Sequence, residues 1–143
     1  MADLANAIFI ASRAFRKKYD KGGKPYVLHC LHVMNNVRHL GEVAMICGVL
    51  HDLIEDCSED GFTFDYLRKE GFSQEVITII ELLTHREETL YMDYIKALSV
   101  HPIAKEIKKR DLEHNSKITR LKGLRKKDID RMEKYLIAYT YLS

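Results

Sequence analysis

The chain has 143 residues, 46% hydrophobic and 31% charged, a balance that suits one globular domain over 1–143 and excludes a disordered chain. A formal net charge of +2 argues against a broad nucleic-acid-binding surface, and the longest apolar run, Val43 to Leu50, is far too short to cross a membrane. No basic-then-apolar leader is visible, and the three cysteines, Cys30, Cys47 and Cys57, form no zinc-like pair. Reduced thiols in a cytoplasmic protein are the expectation.

In chain order the helical period dominates. Asp3 to about Lys18 predicts an amphipathic helix with Leu4, Ile8, Ala11 and Phe15 on one stripe. Lys21 to Pro25 is a loop, and Pro25 suits the first turn of a second helix running to about Leu40. Gly41 separates it from a third, roughly Glu42 to Asp56. Thr63 and Ser73 are positioned to cap two helices that end at Gly71 and Leu83. Further helices are expected over Leu90–Leu98, Pro102 to about Leu121, and Asp128–Leu142. Nothing alternates convincingly with the period of a strand. The expected fold is all-α, a single-domain bundle of about eight helices.

The third predicted helix carries most of the chemistry. At about 100° per residue, His51, Asp52, Glu55 and Asp56 fall inside one arc of about 140°. Ile46, Cys47, Leu50, Leu53 and Ile54 take the opposite arc. Small residues at Ala44 and Gly48 would leave room for a ligand beside the His-Asp pair. An imidazole and three carboxylates on one face repel one another unless a cation compensates. Adjacent His51 and Asp52 can both reach one metal, and Glu55 and Asp56 then stand one turn on, placed for acid–base work. A solvated acidic helix end, continued by Glu59 and Asp60, fits the same residues.

Asp111 adds weight to the metal. The stripe Ile103, Ala104, Ile107 continues through Asp111, His114 and Asn115 to Ile118 and Leu121, so a carboxylate stands where the period demands core. A buried carboxylate needs a cation, either a metal or an arginine from another helix. His29, on the apolar second helix, reads more readily as a satisfied core histidine than as a ligand, and His32 competes with it on spacing alone. Imidazoles and carboxylates without a thiolate suit Mn²⁺, Fe²⁺, Co²⁺, Ni²⁺ or Mg²⁺ in open octahedral coordination, as a hydrolase requires.

Three blocks together resemble the HD superfamily, and more narrowly the hydrolase domain of RelA/SpoT-type proteins and the small alarmone hydrolases. They are Gly23-Lys24-Pro25-Tyr26-Val27-Leu28-His29, His51-Asp52-Leu53-Ile54-Glu55-Asp56, and Asp111-Leu112-Glu113-His114-Asn115. Their order and spacing are similar to that family's from about residue 5 to 122. The resemblance implies the helical HD-domain fold and a Mn²⁺-dependent removal of 3′-pyrophosphate from (p)ppGpp. It implies His29, His51, Asp52 and Asp111 as metal ligands and favours His29 over His32. It implies that Glu55 and Asp56 orient or deprotonate water, that Asn115 touches the nucleotide sugar and that Lys21 lies near the substrate.

This chain also departs from the family pattern. Lys18-Tyr19-Asp20-Lys21 lacks the arginine that stacks on the base, leaving Arg16, Tyr19 or Tyr26 for that role. Phe15 replaces a common histidine, Cys30 a proline, and Arg110 a small residue. Hydrolysis of another nucleotide (ppApp, NADPH or a nucleoside monophosphate) is therefore the competing activity, and a silent HD binding module the third reading. Expected partners are a small nucleotide, with no nucleic acid and no membrane; the sequence allows a homo-oligomer. Basic groups from Lys105 to Lys127 read either as attraction for a polyanion or as a solvated face.

Overall fold

A computed structural model describes residues 1–143 and is all-helical. Nine α-helices are joined by loops that include three 3-10 turns. They are α1 (Leu4–Ala14), α2 (Val27–Asn35), α3 (Glu42–Val49), α4 (Leu53–Cys57), α5 (Phe64–Lys69), α6 (Gln74–Leu83), α7 (Tyr91–Leu98), α8 (Pro102–Asn115) and α9 (Lys126–Leu142). The sole β feature is a lone antiparallel bridge between Tyr19 and Pro25. No helix is long and apolar enough to cross a membrane.

Local chemistry sets the helix starts. The Asp3 side chain accepts from the Asn6 amide while the Asn6 side chain accepts from the Asp3 amide, closing a reciprocal cap. Thr63 and Ser73 cap α5 and α6 as predicted, accepting from Tyr66 and Val76 amides at 3.2 Å each. At α8 the His101 ring takes the capping role ahead of Pro102.

The core is one cluster of 31 buried hydrophobic residues, with α3 at its centre against α1, α2, α6 and α8. This central helix is buried nearly all round, through Ala44, Ile46, Cys47, Gly48 and Val49, so it has no polar arc. Ala44 and Gly48 therefore make no room for a ligand. A Cβ at Gly48 would stand 3.1 Å from Met34 Cα and 3.3 Å from Val37 Cγ2; the glycine lets α2 close on α3.

Three predicted helices are cut short. The first ends at Ala14, the second at Asn35, and the Pro102 helix at Asn115. At that last end the Arg120 side chain takes the His114 carbonyl at 3.0 Å. Ile118, expected on the core stripe, is 54% exposed. On α1 the buried face is Ala7, Ile10, Ala11 and Ala14, leaving Leu4 and Ile8 only partly covered.

The most consequential change is a break in the third predicted helix. Leu50 (φ −103°, ψ 5°) and Asp52 (φ −100°, ψ 1°) leave helical geometry, and the Leu53 amide reaches back only to Leu50, at 3.0 Å. The Gly48 carbonyl instead accepts from His51 Nδ1 at 2.7 Å. His51 and Asp52 thus occupy a turn between α3 and α4.

Candidate metal centre

That turn faces α2 and α8, and four side chains converge on one point. His29 comes from α2, His51 and Asp52 from the turn, and Asp111 from α8. One ligating atom from each lies within 4.8 Å of all the others. His29 Nε2 is 2.9 Å from Asp111 Oδ1 and 3.6 Å from Asp52 Oδ2. His51 Nε2 is 2.9 Å from Asp52 Oδ2 and 3.3 Å from Asp111 Oδ1. His29, His51 and Asp111 are each at most 2% exposed.

Each group is held from outside. A carbonyl can only accept, so the bond to Gly48 puts a proton on His51 Nδ1 and turns Nε2 inward. His29 Nδ1 lies 2.7 Å from His114 Nδ1, with the two rings nearly parallel at 6°. Burial, then the charge of Arg120, lowers His114 to about 3. It is neutral at pH 7, so one Nδ1 of the pair donates to the other, and His29 Nε2 faces the centre. His32 lies outside the cluster, stacked on His114 at 3.8 Å, so the geometry separates the two candidate histidines. The role of His114 was missed from sequence; its signal was its place on the Asp111 stripe.

The carboxylates are equally constrained. Asp111 Oδ1 also accepts from Asn115 Nδ2 at 2.9 Å, and Oδ2 accepts from Lys108 Nζ at 2.8 Å. Burial opposes the Asp111 charge, but Lys108 and then His51 hold its carboxyl well below the usual range. Burial likewise opposes a charged His51, and the Asp52 and Asp111 carboxylates outweigh it, raising that ring well above 6.5. The counter-cation comes from Lys108 of the same helix rather than an arginine of another. Lys108 falls in the Lys105–Lys127 stretch expected to face solvent or a polyanion, yet its side chain is 13% exposed.

Tyr26 donates its hydroxyl to Asp52 Oδ2 at 2.6 Å and stacks on Phe15 at 5.2 Å. The phenol therefore fixes the direction of a carboxylate. Tyr26→Phe is expected to keep the fold and weaken divalent-cation affinity about tenfold or more, measured by calorimetric titration. Unchanged affinity would remove this role.

The donor set, two imidazole nitrogens and two carboxylate oxygens, fits a divalent transition ion. Beside it opens a cleft of about 280 Å³, lined at the cluster end by Tyr26, Asp56 and Asn115 and outward by Tyr19, Lys21, Lys117, Arg120, Arg131 and Tyr135. Asp20, in place of the expected arginine, accepts from the Gly22 and Lys24 amides at 2.9 Å each and from Arg120 at 3.2 Å. Arg120 in turn bonds Asn115 Oδ1 at 3.1 Å.

Asp56 projects from α4 into this cleft, and Glu55 lines an adjoining hollow with Lys18, Tyr19 and Tyr26. The Glu55 carboxylate accepts from the His85 amide; burial raises its pKa despite that bond. The Asp56 carboxylate takes part in no hydrogen bond or ion pair, although its carbonyl accepts from Lys18. Burial, then the charges of Asp52 and Glu55, raise it to about 7.

No family model matches the sequence. The fold is similar to a solved structure of a metazoan ortholog of SpoT, a protein that hydrolyzes ppGpp and plays a role in starvation responses. The TM-score is 0.79 at 18% identity, over 97% of this chain and 84% of that one. The likeness is one of fold, which agrees with the all-helical bundle expected from the sequence.

Proposed function

We propose that residues 1–143 act as one catalytic domain, a Mn²⁺-dependent hydrolase that removes pyrophosphate from the 3′ position of (p)ppGpp. The observation that carries this is the buried cluster of His29, His51, Asp52 and Asp111 opening on a cleft lined by cations and tyrosines. The ppGpp-hydrolysing protein of similar fold supports the same reading. Those four residues would hold the cation, which supplies Lewis acidity toward a phosphoryl oxygen and lowers the pKa of water.

The chain's own groups then divide the work. Asp56, free of any partner and with a raised pKa, takes the proton from the attacking water. Glu55, anchored by the His85 amide, orients that water through its other oxygen. Asn115 and Lys21 contact the sugar and a phosphate, and Tyr19, Tyr26 or Tyr135 offers a face to the base. Water adds to the inner phosphorus, the one bonded to the 3′ oxygen, as the P–O3′ bond breaks; the 3′ oxygen takes up a proton, and the products are GDP or GTP and pyrophosphate. A cytoplasmic setting accords with three free, buried cysteines.

A second reading, hydrolysis of another nucleotide at the same site, is favoured by one observation. Asp20 is locked to Arg120, so no residue at that position stacks on guanine. A panel of ppGpp, ppApp, NADPH and nucleoside monophosphates, run with each divalent metal and assayed for pyrophosphate and phosphate, separates the two. Pyrophosphate from ppGpp is the expected result. Intact ppGpp beside turnover of another member of the panel would replace the substrate and keep the chemistry.

A further inference from the structure

A second cavity continues from the outer end of the cleft. It is an open groove of about 630 Å³ that shares Lys21, Leu121 and Arg131 with the cleft and adds Lys122, Arg125 and Lys127. Its walls are brought together by glycine. A Cβ at Gly22 would strike the Arg120 carbonyl oxygen, and one at Gly23 would stand 3.4 Å from Lys122 Nζ. The 20–24 loop is thereby pressed against the 120–122 segment.

The charge of this groove is uncompensated. Arg131 is satisfied by Asp128, at 2.7 Å, whereas Lys21, Lys122, Arg125 and Lys127 have no carboxylate within 4.0 Å. Elsewhere in the Lys105–Lys127 stretch, Arg110 pairs with Glu106 and Glu113, and Lys126 with Asp130. Four like charges held around one groove repel until an anion enters. No aromatic residue lines it, so it offers nothing to a base, in contrast to the tyrosine-bearing cleft.

We propose that this groove binds the 5′-phosphoryl chain of the substrate, so that the protein selects nucleotides phosphorylated at both ends. The inference rests on the function proposed above. The cluster engages the 3′-pyrophosphate, the cleft holds the nucleoside, and the groove takes the 5′ end, where each added phosphate meets another free cation.

The test compares KM for guanosine 3′-diphosphates bearing a 5′-hydroxyl, 5′-diphosphate or 5′-triphosphate, with Mn²⁺. The unaltered protein should show KM falling as 5′ phosphates are added. The triple variant Lys122→Gln/Arg125→Gln/Lys127→Gln, checked for an unchanged melting temperature, should shrink the 5′-hydroxyl to 5′-triphosphate KM ratio about tenfold or more. A ratio that the variant leaves unchanged, or a uniform loss across all three substrates, makes the groove a solvated basic face and overturns the proposal. Absence of pyrophosphate from all three with the unaltered protein overturns the proposed function itself, and this inference with it.

Discussion

Replacing Asp111 with alanine is expected to strip the protein of its divalent cation, abolish hydrolysis and destabilise the metal-free fold by about 3–5 kcal/mol. The size of the effect follows from what surrounds the carboxylate. Asp111 is 2% exposed, accepts from Lys108 and from Asn115, and has one oxygen 2.9 Å from His29 Nε2 and 3.3 Å from His51 Nε2. Its removal leaves a largely buried ammonium with tyrosine rings and no carboxylate beside it, the nearest being Tyr94 at 5.4 Å. Removing one member of such a pair costs far more than removing both. The double variant Asp111→Ala/Lys108→Met should accordingly recover most of the stability while binding no cation. Urea unfolding and elemental analysis of both variants make the check. Full cation occupancy in Asp111→Ala would contradict the site, and an unchanged urea midpoint would contradict the buried pair.

Asp56→Asn is expected to lower turnover by about a hundred- to ten-thousand-fold while leaving cation content intact. Asp56 faces the cleft with no protein partner, so its loss removes a group used in the transition state and little that binds the ground state. Stability should move the other way. The Asp56 carboxyl is raised from 3.8 to about 7, so the folded chain holds that proton more tightly than the unfolded chain. The stability this contributes is complete below the unfolded value and is lost as pH rises through the folded one. Asparagine mimics the protonated state, so the metal-free variant should melt above the parent at about pH 8 and level with it near pH 3. Single-turnover rates, cation content and melting temperature at both pH values test this together. A near-normal rate would return Asp56 to a solvated acidic helix end.

What the sequence made legible was set by which interactions are local. Helix period, the caps at Thr63 and Ser73, and Asp111 on an apolar stripe are properties of short segments, and the structure retains them. The His-Asp pair was found through a continuous helix that does not exist. Asp52, Glu55 and Asp56 keep their shared face because α4 follows directly, whereas His51 reaches the cluster through the turn and the Gly48 carbonyl. Gly48 looked like space for a ligand because a helical wheel shows one helix and not the neighbour packed on it. Lys108 and His114 carried no motif of their own. Both sit three residues from Asp111, where helix geometry places partners, and that spacing was the available signal. Asp20 paired with Arg120 across 100 residues had no local trace at all.

The most direct measurement of the central claim is a titration of activity against bound metal. Protein freed of cations by chelation and dialysis should leave ppGpp intact. Stepwise Mn²⁺ should then restore release of pyrophosphate in proportion to bound metal, reaching a plateau near about one cation per chain. The Asp52→Ala variant should show no such plateau at the same metal concentrations. Full hydrolysis by the chelated protein, or restoration by Mn²⁺ that is indifferent to Asp52, would contradict a cation held by His29, His51, Asp52 and Asp111.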